Sequence, residues 1–436
     1  MWNYYFLLGW RSLQRNPILT ALMILILAIG IGASMTSLTM LLVLSGDPMP
    51  HKSERLFVPK FHVQDMRGYK TGDDPDFQLT YIDAKNLLRD KKGKAQTVLY
   101  GISPTIDSGR KDLPPFFERG MATTGDIFSM FDMPFRFGNG WSADADDAAT
   151  NVAVIGPELS EKLFKNDNPV GKTIRVDDRD YTIAGVLDTW KPTPKFYRLY
   201  GTEATSRPEQ LWLPFTNAVS CEYRNSGWNN CSGDGAGPGY EGWLKSECTW
   251  LQYWVELESA SDASRYKDYL NAYVSEQKKL GRMPRPEKLQ LLNLREWLED
   301  AGVVGRDTKL STWMAFGFLM VCIVNLVALM LAKFTARSGD IGVRRALGAS
   351  RKEIFHQYLI EAAVIGLVGA VLGLGLSWYG VHILSSRLAV ADDFYQIDFK
   401  MLMITLTISI CAALLAGLLP TWRACQVRPA IQLKSQ

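Results

Sequence analysis

Residues 18–44 read ILTALMILILAIGIGASMTSLTMLLVL, with no Asp, Glu, Lys, Arg or His among them. About 27 such residues make roughly 40 Å of helix, more than the ~30 Å of a bilayer's hydrocarbon core. Three further uncharged runs occur at 310–332, 362–381 and 401–419, each of the length a crossing helix needs. A charge at mid-membrane costs at least about 2.5 kcal/mol, so uninterrupted windows of this kind are what insertion selects. The first run is about twice the usual apolar length of a cleaved leader and has no small-x-small exit, so a retained helix is expected.

The flanking cations set the direction. Arg11 and Arg15 precede the first run. Lys333, Arg337, Arg344, Arg345, Arg351 and Lys352 follow the second, and Arg423, Arg428 and Lys434 follow the fourth. The stretch 384–400 has only Arg387 and Lys400 as cations, beside Asp392, Asp393 and Asp398. Positive-inside logic places both termini in the cytoplasm and everything between the first two helices outside.

The expected fold is therefore a membrane protein with four transmembrane α-helices and a large α+β extracytoplasmic domain inserted between helices 1 and 2. The boundaries are an interfacial helix at 1–16, spans at 17–45, 310–333, 362–383 and 401–420, the external domain at 46–309, a cytoplasmic segment at 334–361, a short external loop at 384–400 and a cytoplasmic tail at 421–436. The N-terminal piece places Trp2, Phe6, Gly9, Trp10 and Leu13 on one helical stripe, suited to lying on the inner leaflet. The mean hydropathy of −0.05 hides this split, and a net charge of +3 leaves no basic footprint for nucleic acid.

Within the external region, 80–90, 157–164 and a stretch from Asp262 to about 280 read as helices, with Asp262 as cap. Segments 152–155, 173–176, 181–186, 210–215 and 251–257 read as strands. The Gly-, Asn- and Ser-rich stretch 216–248 reads as a long surface excursion. It carries Cys221, Cys231 and Cys248, and in an oxidising compartment one disulfide among the three is expected.

Catalytic and nucleotide motifs are not found. Gly171-Lys172-Thr173 resembles the end of a phosphate loop, but Asn166 stands where the pattern needs Gly. His51, His62, His356 and His382 are scattered, and Asp144, Asp146 and Asp147 read as a solvated acidic turn. The expectation is a non-enzyme with no catalytic residue, no metal and no cofactor of its own. Third-helix glycines Gly366, Gly369 and Gly373 permit close helix approach, within one bundle or against another chain, and Asn325 is a polar group that can bond a neighbouring helix.

The most informative stretch is 336–361, ARSGDIGVRRALGASRKEIFHQYLIE. From its residues alone it is either a charged segment that enforces topology or an amphipathic piece presenting Ile341, Leu347 and the turn Gly348-Ala349-Ser350 to a partner, flanked by Arg344, Arg345 and Arg351. It resembles the cytoplasmic coupling region of the MacB/FtsX-type permease family of ABC transporters, with Asp340 where the family shows Glu. Arg11-Ser12-Leu13 with Asn16-Pro17, the stretch 152–186 and the stretch 417–433 are similar to other parts of that family.

The resemblance implies a permease in the bacterial inner membrane that relays ATPase-driven motion to its periplasmic domain, a mode called mechanotransmission, for export of a periplasmic substrate. It implies a cytoplasmic ABC ATPase that uses ATP and Mg, a second permease copy or paralogue, and an adaptor with an outer-membrane duct. The alternative is an ATPase-linked regulator of a periplasmic cell-wall hydrolase, or a lipoprotein-release permease. The coupling residues it points to are Asp340, Ile341, Arg344, Arg345, Leu347, Gly348, Ala349, Ser350 and Arg351.

Overall fold

The computed structural model describes residues 16–165, 167–199, 204, 206–231, 235–336, 339, 341, 343, 344, 347–387 and 399–425. The expected interfacial helix, most of the short external loop and the end of the tail lie outside them. The chain separates into two compact units, Met1–Ser45 with Val304–Gln436, and Gly46–Val303.

The first unit opens with α1 (Pro17–Leu44), begun by a proline at its first turn, where the missing N–H costs nothing. The second unit is built on one mixed sheet. Its strands begin with β1 (Leu56–Phe61), β2 (Gln78–Leu79), β3 (Ala95–Ile102), β4 (Thr105–Asp107) and β5 (Phe116–Phe117). They continue with β6 (Gly120–Thr123), β7 (Phe135–Gly138), β8 (Val152–Ile155) and β9 (Thr173–Val176). The last are β10 (Arg179–Leu187), β11 (Leu211–Pro214), β12 (Leu251–Glu256) and β13 (Leu289–Asn293). The spatial order is β13-β1-β12-β3-β6-β11-β8-β10-β9-β4-β5, with β2 added to β12 and β7 to β10. Among the described residues, only β8–β10 and β6–β11 pair in parallel.

Helices cover both faces. On one lie α2 (Tyr81–Asp90), α5 (Pro157–Phe164), α6 (Phe215–Ser220) and the long α8 (Ala260–Lys279), over a core that includes Leu87, Leu159, Ala218, Tyr266 and Leu270. On the other, α3 (Ile127–Met130) and α9 (Leu294–Asp300) pack over Val58, Leu99, Met121 and Trp254. The short α4 (Ala143–Asp147) and α7 (Gly239–Leu244) complete the set. With both faces covered, β12 is buried along its whole length: Leu251, Tyr253 and Val255 join one core and Trp254 the other. Its two polar residues, Gln252 and Glu256, are buried with the rest.

Three expectations change here. Helix α8 is capped by Ser259, whose hydroxyl accepts from the Asp262 N–H, so Asp262 is not the cap but stands in the first turn. The 216–248 stretch is not a bare surface excursion. It contains α6 and α7, a Cys231–Cys248 disulfide, and the buried Tyr223 and Tyr240, while Cys221 keeps a thiol. Its aromatic residues, interleaved with Gly and Ser, supply the core contacts. The acidic turn is not wholly solvated either, because Asp146 is buried and accepts from the Gly125 N–H at 2.6 Å.

One buried strap has no regular structure. Residues 195–199 lie under the second face, and their carbonyls take donors from indoles: Trp297 Nε1 donates to Phe196 O at 2.9 Å and Trp254 Nε1 to Tyr197 O at 3.0 Å. Glu209 accepts from Lys195 Nζ at 2.8 Å and from the Tyr197 hydroxyl at 2.6 Å. Burial alone would push this carboxyl up, but Lys195 and Arg198 outweigh it and hold it at about 2.

In the first unit, α1 is joined by α10 (Arg306–Ala336), α11 (Arg351–Arg387) and α12 (Phe399–Cys425). By length and composition, α1, α10 and Arg351–Ile383 of α11 can cross a membrane, and α12 carries a shorter apolar run, Leu406–Trp422. Helices α1 and α11 approach through small residues. A Cβ on Gly369 would meet Leu27 at 2.9 Å, and one on Gly373 would meet Ile31 at 2.8 Å. The Gly-x-x-x-Gly pair thus packs inside the chain, where the absence of side chains lets the backbones close. Gly366 is buried in the same helix, whereas Asn325 is exposed on α10.

Candidate coupling site

Between α10 and α11 the chain is helical at 339, 341, 343 and 344, then turns at Leu347-Gly348. Asp340 and Arg345 lie outside the described residues. Gly348 has φ +101°, and the Ala349 N–H reaches back to Arg344 O at 3.0 Å. This is a Schellman ending, which needs a residue with left-handed backbone directly after the helix. Ser350 then starts α11: its hydroxyl accepts from the Glu353 N–H at 3.2 Å, and its own N–H donates to Glu353 Oε2 at 2.8 Å. The pair forms a reciprocal capping box. Gly348 and Ser350 are thus accounted for by a helix stop followed at once by a helix start.

The segment's apolar residues divide. Ile341, expected to face a partner, is 2 % exposed and packs with Phe334, Ile354 and Tyr358. An aliphatic side chain at the base of a helical hairpin gains more by joining the Phe334–Tyr358 ring pair, whose centroids are 4.3 Å apart, than by facing water. Leu347 points the other way, 83 % exposed, with Val343 at 51 %. Arg344 donates to Gln357 Oε1 at 3.0 Å, which fixes the short helix against α11. The outcome is a rigid turn with an apolar tip and a rim of Arg344, Arg351 and Lys352, all exposed.

One feature of this unit is not apparent from the sequence read run by run. Lys333, grouped there with the cytoplasmic loop cations, lies in the last turn of α10 and is 1 % exposed. Its Nζ is 2.5 Å from Glu361 Oε1 on α11, also 1 % exposed, and 3.4 Å from Thr20 Oγ1 on α1. A signal exists in hindsight: a cation directly after one apolar run and an anion directly before the next.

Comparison with known proteins identifies the family. Residues 20–273 match the family described as MacB-like periplasmic core domain, and residues 313–429 match FtsX-like permease C-terminal. The macrolide export ATP-binding/permease protein MacB of Salmonella typhi is 26 % identical over 270 residues, which is 59 % of this chain and 34 % of that protein. The uncharacterized ABC transporter permease YknZ of Bacillus subtilis is 23 % identical over 291 residues, 66 % of this chain and 62 % of that one. The chain therefore spans less than two thirds of either relative. The crystal structure of the periplasmic region of MacB from Actinobacillus actinomycetemcomitans is matched with a TM-score of 0.35 at 14 % identity, covering 58 % of this chain and 94 % of that one. With the core-domain match covering more than half of the sequence and the permease match covering the helices on either side of the 343–352 turn, the chain belongs to the MacB/FtsX-type permease family of ABC transporters.

Proposed function

We propose that this chain relays ATPase-driven motion across the bacterial inner membrane, entering at the 343–352 turn and leaving through α1 and α10 to an external Gly46–Val303 unit, for export of a periplasmic substrate. In this reading the chain crosses the membrane four times with both termini cytoplasmic, works beside a second permease copy, and hands its substrate to an adaptor and outer-membrane duct. ATP and Mg are bound by the ATPase.

The observation that carries the reading is Leu347. A leucine 83 % exposed at the tip of a turn fixed by a Schellman ending and a capping box is a preformed apolar knob on a rigid base. Burying such a side chain in a partner's pocket is worth about 1.5–3 kcal/mol, and the fixed turn adds no ordering cost. Gly348 is the wrong residue to perturb, since its left-handed φ makes any side chain strain the turn itself.

Leu347→Asp is the direct test. It is expected to leave expression and insertion unchanged, weaken association with the ATPase roughly tenfold or more, and lower permease-dependent ATP hydrolysis in reconstituted vesicles accordingly. Trp228→Asp, at an exposed position of the external unit, should alter neither. Unchanged association of Leu347→Asp would remove the coupling assignment.

A further inference from the structure

Lys333 and Glu361 are the one ion pair among the described residues of the helical unit with both partners wholly buried. The buried cluster of this unit is apolar, with Met23 and Leu27 on α1, Met330 and Phe334 on α10, Tyr358 and Ala362 on α11. Apolar contacts between membrane helices hold register weakly, because lipid tails are as good a neighbour as another leucine. An ion pair in such surroundings behaves differently. Separating it leaves a charge with no water to receive it, so the helices that carry it move together or not at all. The Thr20 hydroxyl, accepting from the same ammonium, brings α1 into the arrangement.

The position matters as much as the strength. Lys333 stands beside Phe334 in sequence, and Phe334 packs on Tyr358 and shares its cluster with Ile341, the buried residue of the coupling segment. Ile341, Phe334 and Tyr358 share one buried cluster, and Tyr358 stands three residues before Glu361, on the same side of α11, so the segment that carries Leu347 is packed against the turn of α11 that bears the Lys333–Glu361 pair, which in turn reaches Thr20 of α1. We propose that this pair is a positioning joint, locking the register of α1, α10 and α11 so that displacement of the coupling turn is transmitted to α1 rather than lost in sliding between helices. The proposal rests on the permease reading above and assigns the pair no contact with nucleotide or substrate.

Hydrogen exchange tests the joint without knowledge of the substrate. The transporter, purified with its ATPase through a tag on this chain, is compared with and without a non-hydrolysable ATP analogue. Deuterium uptake is read at the coupling segment, 339–350, and at the far end of α1, 40–44. In the unaltered protein both segments should respond to the analogue. Lys333→Met with Glu361→Met replaces the pair by apolar groups of similar volume, an exchange that buried ion pairs commonly tolerate without loss of stability. In that variant the coupling segment should still respond, while the response at 40–44 shrinks at least about threefold. The reciprocal exchange, Lys333→Glu with Glu361→Lys, restores an ion pair and should restore the distant response, which a role in packing alone does not predict for the same change in bulk.

An undiminished response at 40–44 in the double-Met variant overturns the joint and leaves the permease reading intact. Should the double-Met variant fail to insert, the reciprocal exchange decides: no response at 40–44 from an inserted protein overturns the joint equally. Absence of any response at 339–350 in the unaltered protein overturns the permease reading itself.

Discussion

Asp146 shows how a single buried carboxyl shapes the external unit. Burial, with the charges of Asp126 and Asp147 adding to it, pushes its pKa from the ordinary 3.8 up to about 6, although the Gly125 N–H favours the ionised form. The folded state holds this proton more tightly than the unfolded chain does. Stability therefore falls as pH rises from about 4 to about 6, and the penalty is complete above that window. Asp146→Asn keeps an acceptor for Gly125 and removes the titration. It is expected to stabilise the unit by about 1–3 kcal/mol at pH 7 relative to its effect at pH 4. Urea unfolding followed by Trp fluorescence across that range is the measurement, and a difference that does not vary with pH would contradict the assignment. The residue read as a solvated surface acid because neighbouring acids in sequence suggest a shared exposed face. The helical geometry of α4 instead turns Asp146 inward and leaves Asp144 and Asp147 outside.

At the scale of elements, the α1–α11 seam is closed by glycines that leave no room for a side chain. A side chain at Gly373 would reach Ile31 at 2.8 Å, whereas one at Gly375 meets nothing within 4 Å. Gly373→Leu should destabilise the bundle by about 1–3 kcal/mol, seen as a lower melting temperature in detergent, and Gly375→Leu by much less. Equal effects would mean that helix propensity rather than close approach governs both sites. The apolar helices were legible because each is an unbroken run, and β8, α5, β9 and β10 were legible because period-two and period-3.6 patterns sit between clear turns. The sheet order was not, since β1 pairs with β12 and β13 from the far end of the domain, and nothing local encodes that. The strap at 195–199 escaped notice because its stabilisation comes from the indoles of Trp254 and Trp297, about sixty and a hundred residues away. At the 343–352 turn and the helix before it, Leu347 and Ile341 could not be told apart by sequence, because the direction of each depends on the Schellman geometry that follows.

For the whole molecule, the topology explains how a large domain can be inserted in the sequence between two helices. The chain enters the external unit on β1 and leaves it after β13, and these two strands are antiparallel neighbours, with Phe57 opposite Asn293 and Phe61 opposite Leu289. The Leu294 N–H also bonds Ser53 O at 3.1 Å, so the entering and leaving segments are tied beside each other. A unit whose ends meet at a paired sheet edge, with its own two cores, has what independent folding requires. Residues 46–303 expressed alone are therefore expected to be soluble, to keep the mixed sheet by circular dichroism, and to unfold cooperatively. Within that fragment the Cys231–Cys248 link, 17 residues apart, restricts the unfolded chain and contributes about 3 kcal/mol. Reduction should lower its melting temperature by roughly 6–12 °C without abolishing the fold, because both cores remain. A fragment that aggregates when oxidised would show that the helical unit is needed to complete its structure; one that melts identically with and without reductant would show that the disulfide restrains only a local loop.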